Sequence, residues 1–324
     1  MVDFTAFRNA LQYPSLSEMA HDTRIMTAAR VLVAYYYYFL AFLSVLFLTS
    51  GFLHKVNFDP FWPLSWSSWL EFDFATTVLI VKLFFLAAAF LSLLFHNTWW
   101  SRLLIFIAIW QVHALESSFG SMNHHWYGWL YTSLIFVFLP NVWRDESWNT
   151  SRTFLLSIWF AQASVALLYT LAGIHKLITA LEQFSQNEIH GLSIEGFSYL
   201  IADWNLKLQE EAMLASFFIQ NPLIGGTLFI CNIFFQIFSI WIMVRPSLQK
   251  VWAGVMLLFY AGVFLTMGIS FHPLLILVLA LFLHSPFIPE DNSFSRMVRD
   301  LPIIGYILDA RRRKMQTSGH QRGI

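Results

Sequence analysis

The sequence predicts an all-α fold: a polytopic integral membrane bundle of about eight transmembrane helices with both termini cytoplasmic. Three observations predict it. Of the 324 residues, 57% are hydrophobic and only 12% charged, and mean hydropathy is +0.59, so most of the chain has to be solvated by lipid. The apolar runs reach the roughly 20 residues that cross a bilayer as a helix, and runs such as LLIFIAIW and LLILVLALFL lack the period-two alternation of a barrel strand. Finally, Lys and Arg are gathered on one side of the spans.

Residues 1–30 carry Phe4, Phe7, Leu11, Tyr13 and Met19 among Asp, Glu and Arg, a short amphipathic cytoplasmic lead-in and not the basic start and unbroken apolar core of a signal peptide. The membrane domain, 31–288, is expected to contain spans at Val31 to Phe52, Ala75 to Phe95, Trp99 to Leu115, Trp126 to Val142, Thr153 to His175, Leu223 to Val244, Val251 to Ile269 and Pro273 to Phe287. The third, fourth and eighth are short, which fits tilted partners, half-helices or incomplete crossings alike. The first outer connection, 53–74, places Trp62, Trp66 and Trp69 among prolines, as a segment at headgroup depth would. The large outer connection, 176–222, contains an amphipathic helix around WNLKLQEEAMLASFF that either caps the membrane domain or rests on it. A basic cytoplasmic tail, 289–324, includes RRRK at 311–314, which reads as a stop-transfer flank or as a contact with anionic lipid.

With eight spans, all but four of the 19 Lys and Arg residues fall on the side of the amino terminus; Lys55, Lys176 and Lys207 lie opposite and Lys82 lies within a span. Positive charge is retained in the cytoplasm, which fixes the orientation. Zero net charge offers no basic footprint for nucleic acid, so the first partner is the lipid bilayer. The single cysteine, Cys231, allows no intrachain disulfide.

The polar residues on the outer side form three groups: Asn123, His124 and His125 before span four, His175 and Lys176 at the end of span five, and His272 before span eight. Histidine transfers protons near neutral pH, and hydrocarbon disfavours the ammonium form of a lysine, so the set suits proton abstraction. Taken singly, each also fits a helix-end residue that snorkels to water or caps carbonyls. Lys82 is expected to pair with Glu116, His113 or Gln111, as a packing ion pair or a proton path. Asn232 and Gln236, four apart, read as polar glue between helices. Adjacent histidines diverge on a helix and no HxxxH, HExxH or Cys cluster occurs, so no metal site is expected.

The stretch YTLAGIHKL (Tyr169 to Leu177) resembles the signature helix of the vitamin K-dependent gamma-carboxylase superfamily and its bacterial relatives, the horizontally transferred transmembrane domain proteins. The pattern Y-x-x-A-G-x-x-K-L is matched at Tyr169, Ala172, Gly173, Lys176 and Leu177. NHHWYGWL (Asn123 to Leu130) resembles the Asn-His segment of that family, and MGISFHPLLILVLALFLHSPF its last turn and helix; together they cover roughly residues 30–290. The resemblance implies a multi-pass protein of the bacterial inner (plasma) membrane in which Lys176 is the catalytic base that activates a hydroquinone. Asn123 and His124 would be its polar neighbours and hold the reacting substrate. Gly173 would admit a helix or planar ring, with His175, His125 and His272 lining the pocket. The implied cofactor is a quinone or hydroquinone, and the substrate a peptide or lipid-soluble molecule. Only about 37 residues follow Phe287, where carboxylases continue into a large extracytoplasmic domain, so a clotting-factor carboxylase is not expected. His124 and His125 compete for the family histidine, because the spacing to Gly128 is one residue short, and His272 replaces an apolar residue.

Two functions are therefore expected to compete: a carboxylase-like membrane enzyme, and a non-enzymatic membrane partner in maturation, export or redox handling of another protein. A transporter fits less well, since paired broken helices and an inverted repeat are missing from the pattern.

Overall fold

The computed structural model describes residues 16–49, 73–118, 124–186 and 189–303. Among them all regular structure is helical. In chain order the main helices are α1 (Thr23–Thr49), α2 (Phe74–Leu94), α3 (Trp99–Ser117), α4 (Tyr127–Val137), α5 (Trp148–Ser185), α6 (Gly196–Leu208), α7 (Ala215–Gln220), α8 (Pro222–Ile237), α9 (Gln249–Met267), α10 (His272–Val278, continued by a π-helical turn over Leu279–Leu283) and α11 (Phe294–Asp300). Four are long and apolar enough to cross a membrane: α1, α2, α5, and α9 with the turn preceding it, Pro246–Met267. Of the other predicted spans, α3 has 19 residues but is less apolar, and α8 with 16, α4 with 11 and the helix over His272–Leu283 are shorter. Asn123 and the Trp-rich connection before Asp73 lie outside the described residues.

Local chemistry explains the boundaries. Asp73 caps α2 by accepting from Thr76 N at 2.8 Å, satisfying an orphan amide of the first turn. Gly268, at φ 68°, ends α9 in the left-handed conformation. The fifth span differs from its expected end at His175: α5 runs on to Ser185, because the sequence LITALEQFS after Lys176 offers neither Gly nor Pro to stop it. Lys176 is therefore inside a helix, not at its end. The expected sixth span is interrupted after Ile237; Ile240 N–H donates to Thr170 Oγ1 at 3.0 Å in place of a helical carbonyl.

The described chain divides into two compact units, through both of which α5 runs: one holds the residues up to 165 with 271–286, the other 166–270 with those from 287 on. In the first, α2 packs between α1 and α3, α3 packs on α4, and α10 meets α1 and α4. Its core is aromatic: Tyr36 lies 5.1 Å from Trp129 and 4.8 Å from Phe136, and Phe85 5.6 Å from Trp126. Trp129 Nε1 donates to the Pro273 carbonyl at 2.7 Å, so the buried indole is not left unpaired. Arg102, 3% exposed, donates to the carbonyls of Phe136 at 3.2 Å and Leu139 at 2.6 Å, which closes the C-terminal end of the short α4. Gln162 Nε2 donates to Leu281 O at 2.5 Å and to Ser285 Oγ at 3.0 Å, bonding across from α5 to the π-helical turn.

In the second unit α8 packs against α6, α7 and α9. Leu214 N donates to Leu265 O at 2.8 Å, and Asn205 bridges Thr266 O at 3.0 Å and Ala212 N at 2.6 Å. These bonds tie the large connection to the end of α9. Phe197 stacks on Phe229 at 5.0 Å, fastening α6 to α8.

Candidate functional site

The residues singled out by the sequence fall into both units, and each set is described by itself. In the second unit, α5 and α8 approach closely at Gly173. A Cβ there would lie 2.7 Å from Ile237 N and 2.9 Å from Gln236 Cβ, so only glycine permits the approach. One turn along, Lys176 Nζ donates to Gln236 Oε1 at 2.6 Å and lies 5.9 Å from the centre of the Phe259 ring. Gln236 itself is 2% exposed. No carboxylate pairs with Lys176 among the described residues. One turn before Gln236, Asn232 is 7% exposed and both its amide atoms lack a partner among the described residues. Beneath them the hydroxyls of Tyr169 and Tyr260 are hydrogen-bonded, and Tyr169 packs on Trp252 at 5.2 Å. His175 is exposed on another face of α5 and does not join this group.

In the first unit, His124 and His125 lie on a 3₁₀ turn that leads into α4, and His272 opens α10. The His125 ring packs on Phe271 at 4.7 Å. Burial, and then the nearby His272 and His124, push His125 down to about 4, so it is neutral at physiological pH. His124, exposed, and His113 of α3 both pack on the ring of Tyr127, at 5.3 and 4.7 Å. Buried His113 Nδ1 has no hydrogen-bond partner among the described residues. The structure thus gathers His113, His124, His125 and His272 about Tyr127 and Phe271. The sequence offered Glu116, His113 or Gln111 as the partner of Lys82. Lys82 donates to Leu48 O at 3.3 Å, near the carbonyl end of α1, and lies 5.5 Å from the Phe47 ring. Among the described residues, no three His, Cys, Asp or Glu side chains converge as a metal site.

Sequence reasoning missed Gln236 as the partner of Lys176, and Tyr127 as the ring between two histidines. Gln236 did carry a signal: with Asn232 it forms a polar pair on one face of an apolar helix. Chemically, one unit offers an amine held by a neutral amide beside aromatic rings, and the other a group of imidazoles of which the most buried is neutral. Among the described residues, the fold is all-helical with four membrane-length apolar helices. Comparison with family models, curated proteins and solved structures finds no match.

Proposed function

We propose that the chain is a multi-pass protein of the bacterial inner membrane, crossing eight times with both termini cytoplasmic, and that Lys176 is the base of a quinone-linked, carboxylase-like proton abstraction on the extracytoplasmic side. The observation that carries this reading is the Lys176–Gln236 bond at 2.6 Å. A carboxylate would hold the nitrogen as ammonium; a neutral amide fixes its position without that constraint. The aromatic neighbour Phe259 suits a planar, lipid-soluble reductant.

The test is oxygen uptake by the purified protein in liposomes supplied with a reduced naphthoquinone. Lys176→Ala should lower the rate at least about 100-fold, the lower end of the range for loss of a general base, while its melting temperature in detergent stays within a few degrees. Uptake that persists in the variant sinks the proposal. A variant that no longer folds would make Lys176 a structural link between α5 and α8.

One observation favours the alternative, a non-enzymatic partner in maturation, export or redox handling of another protein. The large connection exposes Met213 at 82%, Leu206 at 78% and Tyr199 at 56%, more apolar surface than an isolated connection needs. A protein that co-purifies in fixed ratio and is retained by Lys176→Ala would support that reading over the enzymatic one.

A further inference from the structure

The connection between α5 and α8 carries the most exposed large apolar side chain among the described residues, Met213, with Leu206 close behind it. Its main helix, α6, is two-faced. Phe197, Ile201 and Asn205 recur every fourth residue and face inward: Phe197 stacks on Phe229 of α8 at 5.0 Å, Ile201 is buried, and Asn205 Nδ2 donates to Thr266 O of α9 at 3.0 Å. On the opposite side Tyr199 and Leu206, two turns apart and nearly in line along the helix, are exposed, as are Leu200 and Lys207. Asp203 and Lys207, paired at 2.6 Å, are the charged groups of that side. The short α7 adds exposed Phe217 and Ile219. Apolar surface of this extent marks contact with a protein or with a membrane.

Depth decides between the two. With the turn before it, α9 has 22 residues, about 33 Å at 1.5 Å per residue, against a hydrocarbon core about 30 Å thick. If α9 crosses, its last turn comes to one edge of the core. That turn is where the connection is fastened: Thr266 O accepts from Asn205, and Leu265 O accepts from Leu214 N at 2.8 Å. Asn205 Oδ1 also holds Ala212 N at 2.6 Å. Asn205 and Leu214 are thus tied to the membrane edge, and Leu206 and Met213 are their neighbours in sequence. Lys207 Nζ lies 5.6 Å from the centre of the Trp204 ring, a pairing of side chains suited to the level where headgroups meet hydrocarbon. Between residues 189 and 221, Glu195, Asp203, Glu210 and Glu211 stand against a single lysine. Anionic lipid has nothing to attract it here, so the contact has to be apolar.

We infer that α6 and the segment after it lie in the plane of the membrane, with Tyr199, Leu206 and Met213 against phospholipid at the boundary of headgroups and acyl chains. The inference rests on α9 crossing the bilayer; it needs neither eight crossings nor any chemistry at Lys176. Lipid then covers the face that would otherwise be left for a protein.

The experiment uses the full chain in phosphatidylcholine liposomes, with bimane on one cysteine at a time in a Cys231→Ser background. The positions are Leu206→Cys, Met213→Cys and, on the exposed side of α9, Leu258→Cys as the reference. Phospholipid with a nitroxide near the headgroup end of its acyl chain should cut emission from the first two at least twofold. Iodide on both sides of the membrane should quench them at least threefold less than it quenches bimane on glutathione. Leu258→Cys should respond to a nitroxide deep in the chain. If Leu258→Cys does so while iodide quenches the first two as it does the free conjugate, the connection stands in water and the inference fails with the membrane reading intact. Weak quenching of the first two by both agents, as beneath a second protein, overturns it as well. If Leu258→Cys escapes the nitroxide, α9 is outside the bilayer and the membrane reading falls together with the inference.

Discussion

A methyl added at Gly173 would meet the backbone nitrogen of Ile237 at 2.7 Å, and a backbone atom cannot rotate aside as a side chain can. Gly173→Ala should therefore destabilise the protein by about 1–3 kcal/mol, as overpacking does. At Gly254, also in a helix, nothing lies within 4 Å of an added Cβ. Gly254→Ala should be neutral or stabilising by up to about 1 kcal/mol. Thermal unfolding in detergent separates the two, and equal midpoints would disprove the tight α5–α8 contact. His125 gives a prediction in pH. Its folded value, pushed down to about 4 by burial and by His272 and His124, lies below the ordinary value of about 6.5. Between these values the unfolded chain binds more protons, so stability is full above the ordinary value and is lost as pH falls toward 4. Water at this half-buried ring limits the loss to the order of 1–2 kcal/mol. His125→Asn should flatten the pH dependence of the melting temperature in that window, and an unchanged slope would assign it to other groups. Lys176 stood out in the sequence as a charged residue at the end of an apolar run, and Gly173 through the resemblance of that stretch to a family pattern. Gln236 did not stand out as a partner of Lys176, because about 60 residues separate them and their pairing depends on the register of α8 against α5.

At the scale of elements, α4 ends where Arg102, on a different helix, reaches its carbonyls. Arg102→Met keeps most of the apolar length and removes the donors. The variant should lose about 1.5–3 kcal/mol, the range for hydrogen bonds to a charged group. It should also exchange amide hydrogens faster through residues 136–142. Protection equal to wild type there would show that the cap is dispensable. Arg102→Lys should fall between the two, since a single ammonium cannot span both carbonyls as a guanidinium does. The predicted bounds of α2 and α9 lie within two residues of the observed ones, and the structure shows local signals there: Asp73 before α2 and Gly268 after α9. The end of α4 was not legible, since a cap from 34 residues away leaves no trace in its own sequence. The length of α5 was misread for the opposite reason. Polarity at His175 and Lys176 looked like a boundary, yet polarity alone does not break a helix whose next nine residues contain neither Gly nor Pro.

At the scale of the whole molecule, the hydrophobic class was legible from composition alone, but the number of crossings was not, because α4, α8 and α10 have intermediate lengths and α3 is less apolar than the four long helices. Single cysteines in a Cys231→Ser background test the proposed eight. A membrane-impermeant maleimide added outside should label Ser193→Cys and Ser270→Cys, and spare Asn97→Cys and Ser147→Cys. If only α1, α2, α5 and α9 cross, Ser270→Cys is protected instead, and the eight-crossing arrangement fails. The 38 residues of α5 have a further consequence. At about 1.5 Å per residue, Lys176 lies roughly 42 Å along the axis from Trp148, while the hydrocarbon core is about 30 Å thick. With Trp148 at one edge of the core, an upright rod carries the amine past the opposite edge, and a tilt of about 45° leaves it level with that edge. On the crossing proposed above, the helix would work as a depth gauge, setting its one lysine at or beyond the far edge of the hydrocarbon.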